Sequence, residues 1–205
     1  MKKLSIKGNP GQNNSFTEVT MEVGCYNPNA LVVNHYHYSD QTRIDAYFQK
    51  LRIEITNNTK CEVLEELKVY NTKLDESMGL LERLTDGGFT QKDIICALRM
   101  KEQYTQKAIK YECYPSAQGI NLMLFSMIKT KFDRYIFPLI KQRVSIDIVL
   151  QHIDLIIVSH IMQLLNENGA NDMDLHYTSD HIYGMLYFLT DKSHLSWKDY
   201  DNPIP

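Results

Sequence analysis

The sequence predicts a mainly α-helical fold, a bundle of about five or six helices with a small N-terminal antiparallel β element. Two observations support this fold class. Apolar and polar residues alternate within residues 1–38, whereas from residue 39 onward apolar residues recur at every third or fourth position. Residues 120–140 and 146–165 are long apolar stretches of the length expected for core helices. We therefore divide the chain into a β element, 1–38, and a helical domain, 39–205.

The β element is predicted from three short segments. A cluster of glycine, asparagine and proline separates a strand-like start from the alternating run Phe16–Val23, which indicates a hairpin. Residues 31–38 alternate again and would add a third strand. Because so small a sheet has few apolar residues on either face, we expect it to need a partner surface for stability.

The first helix is expected to begin after Ser39 or Asp40, either of which can cap it. Its apolar residues recur at helical spacing, and residues 56–60 (TNNTK) break the pattern. The apolar positions are Ile44, Phe48, Leu51 and Ile55.

The next segment, residues 60–85, has a heptad pattern. Leu67, Leu74 and Leu81 lie seven residues apart, and Val63, Tyr70, Met78 and Leu84 fill the alternate positions of the seam. This pattern predicts an antiparallel helical hairpin or a short coiled coil.

The remaining helices are delimited by capping and breaking residues. Gly87 or Gly88 ends one helix in a left-handed cap, and Thr90 with Asp93 begins the next, which runs to about Tyr111. A long helix from Ala117 should be kinked or ended by Pro138. A further helix follows Val144 and extends through residues 164–169, and residues 178–180 (TSD) cap a last helix over 180–190.

Composition excludes several classes of protein. The net charge is −3 and 23% of residues are charged, so the totals show neither a nucleic-acid-binding bias nor an acidic tail. The four cysteines form no CxxC pair, and the first residues have no apolar signal-peptide core. We therefore expect a cytoplasmic protein with reduced thiols. Charged side chains inside both long apolar stretches favour core helices over membrane spans.

The sequence has no recognisable catalytic motif. It lacks a Walker A loop, a GxGxxG turn and a GxSxG elbow, so we expect no catalytic residue and no cofactor. His35 and His37 would lie on one face of a strand, where two imidazoles can share a metal ion, but no third ligand follows at a diagnostic spacing. We expect no metal, and a metal-binding module stays an alternative.

A basic helix is the other alternative. Lys101, Lys107 and Lys110 alternate with Tyr104 and Tyr111, so the lysines could grip phosphates while the rings stack on bases. A solvated helix face is the favoured interpretation, and a stand-alone nucleic-acid-binding module is the alternative.

Residues 181–197 (HIYGMLYFLTDKSHLSW) are rich in aromatic side chains and contain the single tryptophan. Ile182, Met185, Leu186 and Leu189 would form an apolar stripe against the bundle. The candidate partner-binding residues are Tyr183, Tyr187, His194, Leu195 and Trp197. Trp197 must either fold back onto the bundle, which is favoured, or project towards a partner.

Four stretches of the sequence are distinctive: LSIKGN near the start, LTDGGF at 84–89, KAIKYECYPSAQGINLMLF at 107–125 and DHIYGMLYFLTDKSHLSWKDYD at 180–201. In these stretches the chain resembles the small proteins of bacterial ABC-three-component systems, the class that includes the Lamassu-type anti-phage defences. The resemblance covers most of the chain after residue 60.

The resemblance implies a non-catalytic subunit. In such systems an SMC-like ATPase and a separate effector, often a nuclease, carry the reactions, and small helical domains or subunits join them. It implies that this chain is an accessory or scaffolding subunit with the ATPase and the effector as partners. DNA contact, where it occurs, would come through the complex.

Overall fold

The fold is built from helices in the part of the chain that the structure, a computed structural model, describes: residues 37–75, 78–169 and 171–200, with the backbone alone for 37–42. Two π-helical turns, Phe132–Ile136 and Asp154–Val158, join four of the segments in pairs, so the described residues form seven continuous helices. The segments are α1 (His37–Thr56), α2 (Glu65–Asn71), α3 (Leu80–Asp86), α4 (Gln91–Tyr111), α5 (Pro115–Lys131), α6 (Phe137–Lys141), α7 (Ile146–Ile153), α8 (Ser159–Asn168) and α9 (Ser179–Asp191).

The mainly α-helical fold is confirmed for these residues, whereas the predicted β element lies outside them except at its end. Helix α1 already begins at His37, so the end of the predicted third strand is helical and neither Ser39 nor Asp40 caps the helix. The strand preference of a short alternating run is a weak signal that tertiary context overrides. The predicted apolar face is confirmed, because Ile44, Phe48 and Leu51 are buried.

The heptad prediction for residues 60–85 is wrong. The segment forms two separate helices, α2 and α3, of about two turns each, and the described residues between them are not helical. Leu67 is buried, but Leu74 and Leu81 are 63% and 48% exposed. Helix α2 packs on α5, whereas α3 packs on α4 and α9. Because the two helices face different neighbours, one seam cannot run through both.

The predicted helix ends are confirmed around α4 and α9. Gly88 adopts a left-handed conformation with φ 84° just after α3. Thr90 and Asp93 form a capping box at the start of α4, and Thr178 caps α9. These signals depend on a few adjacent residues, which explains why the sequence alone locates them.

The two long apolar stretches form continuous helices, α5–α6 and α7–α8, each with a π turn. The first passes Pro138 and ends at Lys141, with the π turn immediately before the proline, which has no N–H to donate. The second, Ile146–Asn168, is the one helix among the described residues that is long and apolar enough to cross a membrane by length and composition. Its residues Ile153, Ile157 and Ile161 are fully buried in the bundle.

Helix α9 lies at the centre of the bundle. It contacts α3, α4, α5, α8 and the second π turn, and its contact with α4 is the most extensive in the described chain. Gly184 makes this contact possible, because a Cβ atom there would lie 2.3 Å from the carbonyl oxygen of Met100. Helices α1 and α2 pack on α5, on the other side of the bundle's core.

Candidate functional site

Trp197 folds back onto the bundle. Its ring is 4% exposed and meets Phe89 and Phe132 edge-on, with ring centroids 4.7 and 5.3 Å away. Its Nε1 donates a hydrogen bond to Thr190 Oγ1 at 2.9 Å, so the polar atom of the indole is satisfied inside the protein. Together with Tyr187 and Leu195, these residues form what we call the C-terminal aromatic cluster.

The other predicted partner-binding residues are unequally accessible. Tyr187, His194 and Leu195 are buried, and Tyr183 is half-buried. Tyr183 stacks on Tyr187 with ring centroids 6.2 Å apart. Partner binding stays a prediction for all five residues. Of the five, Tyr183 is the most accessible to a partner.

Burial determines the ionisation of these groups. It raises the pKa of the Tyr183 phenol to about 12, with a further contribution from the carboxylate of Asp154, which its hydroxyl contacts at 3.5 Å. Burial likewise raises the pKa of Tyr187. Burial lowers the pKa of His194, against hydrogen-bond contributions from the backbone of Tyr70, Thr72 and Val69, and the nearby Lys129 lowers it further. At neutral pH the side chains of this region are therefore uncharged hydrogen-bonding groups.

Two of the three candidate nucleic-acid lysines are engaged inside the chain. Lys101 pairs with Asp191 at 2.7 Å. Lys107 donates to the backbone carbonyl of Leu175, and burial lowers its pKa. Lys110 is exposed and lies over the Tyr111 ring, 4.8 Å from its centroid. Of the three, Lys110 is the one whose charge faces solvent.

The alternative in which Tyr104 and Tyr111 stack on bases finds no exposed rings. Both rings are buried, at 2% and 7% exposure. The hydroxyl of Tyr104 donates to Asn121 Oδ1 at 3.3 Å, and that of Tyr177 donates to the same oxygen at 2.8 Å. The sequence shows the rings at regular spacing on α4, but it does not show that they face the core.

The described residues contain no group of three or more His, Cys, Asp or Glu side chains that could hold a metal ion. His35 lies outside the described residues, and the side chain of His37 is not described. Cys61, Cys96 and Cys113 are free thiols. The metal-binding alternative is therefore untested for the histidines that suggested it.

A surface that the sequence analysis missed lies on the outer face of α4. Ile95, Leu98 and Ile109 are 59%, 39% and 60% exposed. At 100° per residue the three fall within about 60° of one another around the helix axis. The opposite face of α4, with Tyr104 and Tyr111, is buried. We call the exposed set the α4 stripe, and its helical spacing is a signal that could have identified it.

Comparison with known proteins identifies the family of the chain. No curated protein and no solved structure matches it. Residues 79–197 match the family described as C-terminal domain 9 of the ABC-three component (ABC-3C) systems. The match begins just before α3 and ends at Trp197, so it covers more than half of the chain and the whole C-terminal aromatic cluster. The chain belongs to this ABC-3C family.

Proposed function

We propose that this chain is a non-catalytic accessory subunit of a bacterial anti-phage or anti-plasmid defence complex of the Lamassu type. It bridges an SMC-like ATPase and an effector such as a nuclease, and it acts in the cytoplasm. Its family membership implies partnership within a multi-subunit system. The identity of the two partners and the absence of catalysis in this chain are parts of the proposal.

The observation that carries the proposal is the α4 stripe. Single exposed apolar residues are normal on protein surfaces, whereas grouped ones can mark an interaction site. Ile95 and Leu98 are neighbours on α4, and Ile109 lies on the same face about 16 Å beyond Leu98. Helix α4 already buries its opposite face against α9, so the stripe is not needed to hold α4 in the bundle. An apolar helical face of this kind is suited to packing against a partner's helix.

The stand-alone nucleic-acid-binding alternative is less well supported. Lys101 and Lys107 are held by Asp191 and by backbone carbonyls, so their use on phosphate would cost existing contacts. The two tyrosines that would stack on bases are buried. Lys110 alone, of the residues proposed for that function, is placed to meet a phosphate.

The test is co-purification of the tagged chain with the ATPase and the effector of its own system. We expect the wild-type chain to retain both, and Ile95→Glu or Ile109→Glu to weaken binding of one of them by about 10-fold or more, because a buried carboxylate at an interface lacks a partner. Gln103→Glu is the matched control, since it adds the same charge at an exposed position of α4 beside the stripe.

Two results would contradict the proposal. One is a wild-type chain that co-purifies with neither component. The other is turnover of DNA or nucleotide by the purified chain with divalent metal, lost on substitution of one residue of the chain. Weakening by Gln103→Glu equal to that of Ile95→Glu would remove the α4 stripe as its support.

A further inference from the structure

An open groove lies along α5, on the side where α1 and α2 pack. Its volume is about 620 Å³. Leu122, Met123 and Met127 of α5 form the apolar floor, and Tyr47 of α1 and Tyr70 of α2 stand in its two walls. Methionine side chains adapt their shape to different apolar partners. We call this the α5 groove, and it involves none of the residues of the α4 stripe.

Hydrogen bonds hold α1 and α2 against the start of α5, next to the groove. Helix α1 is tied there because Glu54 accepts hydrogen bonds from the Ser116 backbone N–H and hydroxyl at 2.9 and 2.8 Å. Helix α2 is tied to the next turn, where the Leu64 N–H donates to Gln118 Oε1 at 2.6 Å. The lining residues Gly119 to Lys129 extend about 15 Å along α5 from that point.

The lining of the groove contains two cations and one carboxylate. Lys129 is paired with Asp133 at 2.7 Å and lies close to the carbonyl oxygen of His194. Arg43 of α1 also lines the groove, is exposed, and has no ion pair with any residue that the structure describes. One carboxylate, Glu66 of α2, is present in the lining. A ligand in the groove therefore meets a cation, Arg43, that has no ion pair with the described residues.

His194 is a further residue of the lining, although it is only 8% exposed. Its Nε2 is buried without a hydrogen bond of good geometry, and the backbone of Tyr70, Thr72 and Val69 at the end of α2 lies close enough to the ring to raise its pKa against the effect of burial. The ring contacts that of Tyr70, with centroids 5.4 Å apart. His194 therefore packs against the wall of the groove that α2 forms.

We propose that the α5 groove binds a segment of a partner protein in which apolar side chains are followed by a carboxylate. The apolar side chains occupy the floor formed by Met123 and Met127, and the carboxylate reaches Arg43. This inference rests on the proposed function, because the partner is a component of the same complex.

A charge reversal tests the chemistry. In the complex with the ATPase and the effector, Arg43→Glu should weaken the binding of one component by about 10-fold, the cost of removing one close charge pair and adding a repulsive one. Arg52→Glu makes the same change on the same helix at an exposed position outside the groove, so it should leave affinity within about twofold of wild type. Both variants should keep the melting temperature of the wild-type chain.

The occupant is identified by a photo-crosslinking residue at Ser126, an exposed position in the groove lining. A crosslink to an acidic and apolar segment of the ATPase or the effector supports the proposal. Crosslinks to residues 1–36 of the same chain, to a second copy, or to nothing overturn it, as does equal binding by Arg43→Glu and Arg52→Glu. If the wild-type chain still co-purifies with the components in those cases, the proposed ligand of the α5 groove is wrong, whereas the proposed accessory function is retained.

Discussion

The C-terminal aromatic cluster and the α5 groove are both rich in large apolar side chains, yet one is closed and the other is open. In the cluster Trp197 is in contact with Phe89 and Phe132, and its one polar atom is bonded to Thr190. In the groove the methionines are half-buried, and Nε2 of His194 has no hydrogen bond of good geometry.

The difference separates stability from binding. Residues whose contacts are all made inside the chain contribute to the free energy of folding, whereas residues left with unused contacts are available to a partner. We therefore expect substitutions in the cluster to lower the melting temperature with little effect on assembly. Substitutions in the groove should do the opposite.

The largest effect is expected from Trp197→Ala. Loss of a buried aromatic ring and the cavity that it leaves should lower the free energy of unfolding by about 3–5 kcal/mol, measured by chemical denaturation. Trp197→Phe keeps a ring against Phe89 and Phe132 but leaves the Thr190 hydroxyl without its donor, so its loss should be smaller. A near-normal unfolding curve for Trp197→Ala combined with lost co-purification would show that the cluster is a binding surface.

Two glycines allow a matched comparison of the two regions. At Gly87 an added Cβ would lie 2.6 Å from Trp197 Cβ, an atom fixed by the backbone. At Gly119 it would lie 2.6 Å from Cζ of Tyr47, at the far end of a ring that can swing in the groove. We expect Gly87→Ala to lower the free energy of unfolding by about 1–3 kcal/mol. Gly119→Ala should change it by less than about 1 kcal/mol, because the better helix propensity of alanine offsets the clash.

The free energies of both glycine variants come from the same denaturant titration. Backbone strain does not complicate the result, since Gly87 has φ −75° and Gly119 lies within α5. A larger loss for Gly119→Ala than for Gly87→Ala would mean that the Tyr47 wall is as rigid as the cluster. The distinction between a closed and an open region would then be wrong.

Local signals account for the part of the fold that the sequence predicts. The capping residues Thr90 and Thr178 and the left-handed Gly88 act through their immediate neighbours, so reading the chain in order finds them. The heptad prediction failed because the spacing of residues shows which side chains share a face of a helix, but not whether other residues cover that face. Leu74 and Leu81 share a repeat with Leu67, but they have no common neighbour to pack on.

The sites are less predictable because they depend on distant residues. The α5 groove combines Arg43, Tyr70 and Met127 from three helices, and no local pattern brings these together. His194 was singled out in a polar-flanked segment as a partner contact. It is buried in the structure because its neighbours Leu195 and Trp197 pack in the core. Its position beside the groove is known only once those contacts are known.

The smallest expected effect is a dependence of stability on pH that is caused by His181, in the first turn of α9. His181 Nδ1 accepts the Thr178 N–H at 3.1 Å in the box that caps α9, and burial, followed by the charge of Lys107, lowers its pKa below 6.5. The unfolded chain therefore binds a proton more readily than the folded chain. Stability should be constant above about pH 6.5 and fall as the pH drops below it.

His181→Glu tests the origin of this loss, because glutamate is the usual acceptor at that position of a capping box and needs no neutral ring. The free energies of unfolding at pH 7.5 and 5.5 should differ less for His181→Glu than for the wild-type chain, by an amount below about 1 kcal/mol, the scale of a helix cap. His194→Gln is the matched variant on the open side, since burial also lowers the pKa of His194. If the slope were unchanged in His181→Glu and abolished in His194→Gln, the titration would belong to the groove, and partner binding itself would then be expected to change over the same pH range.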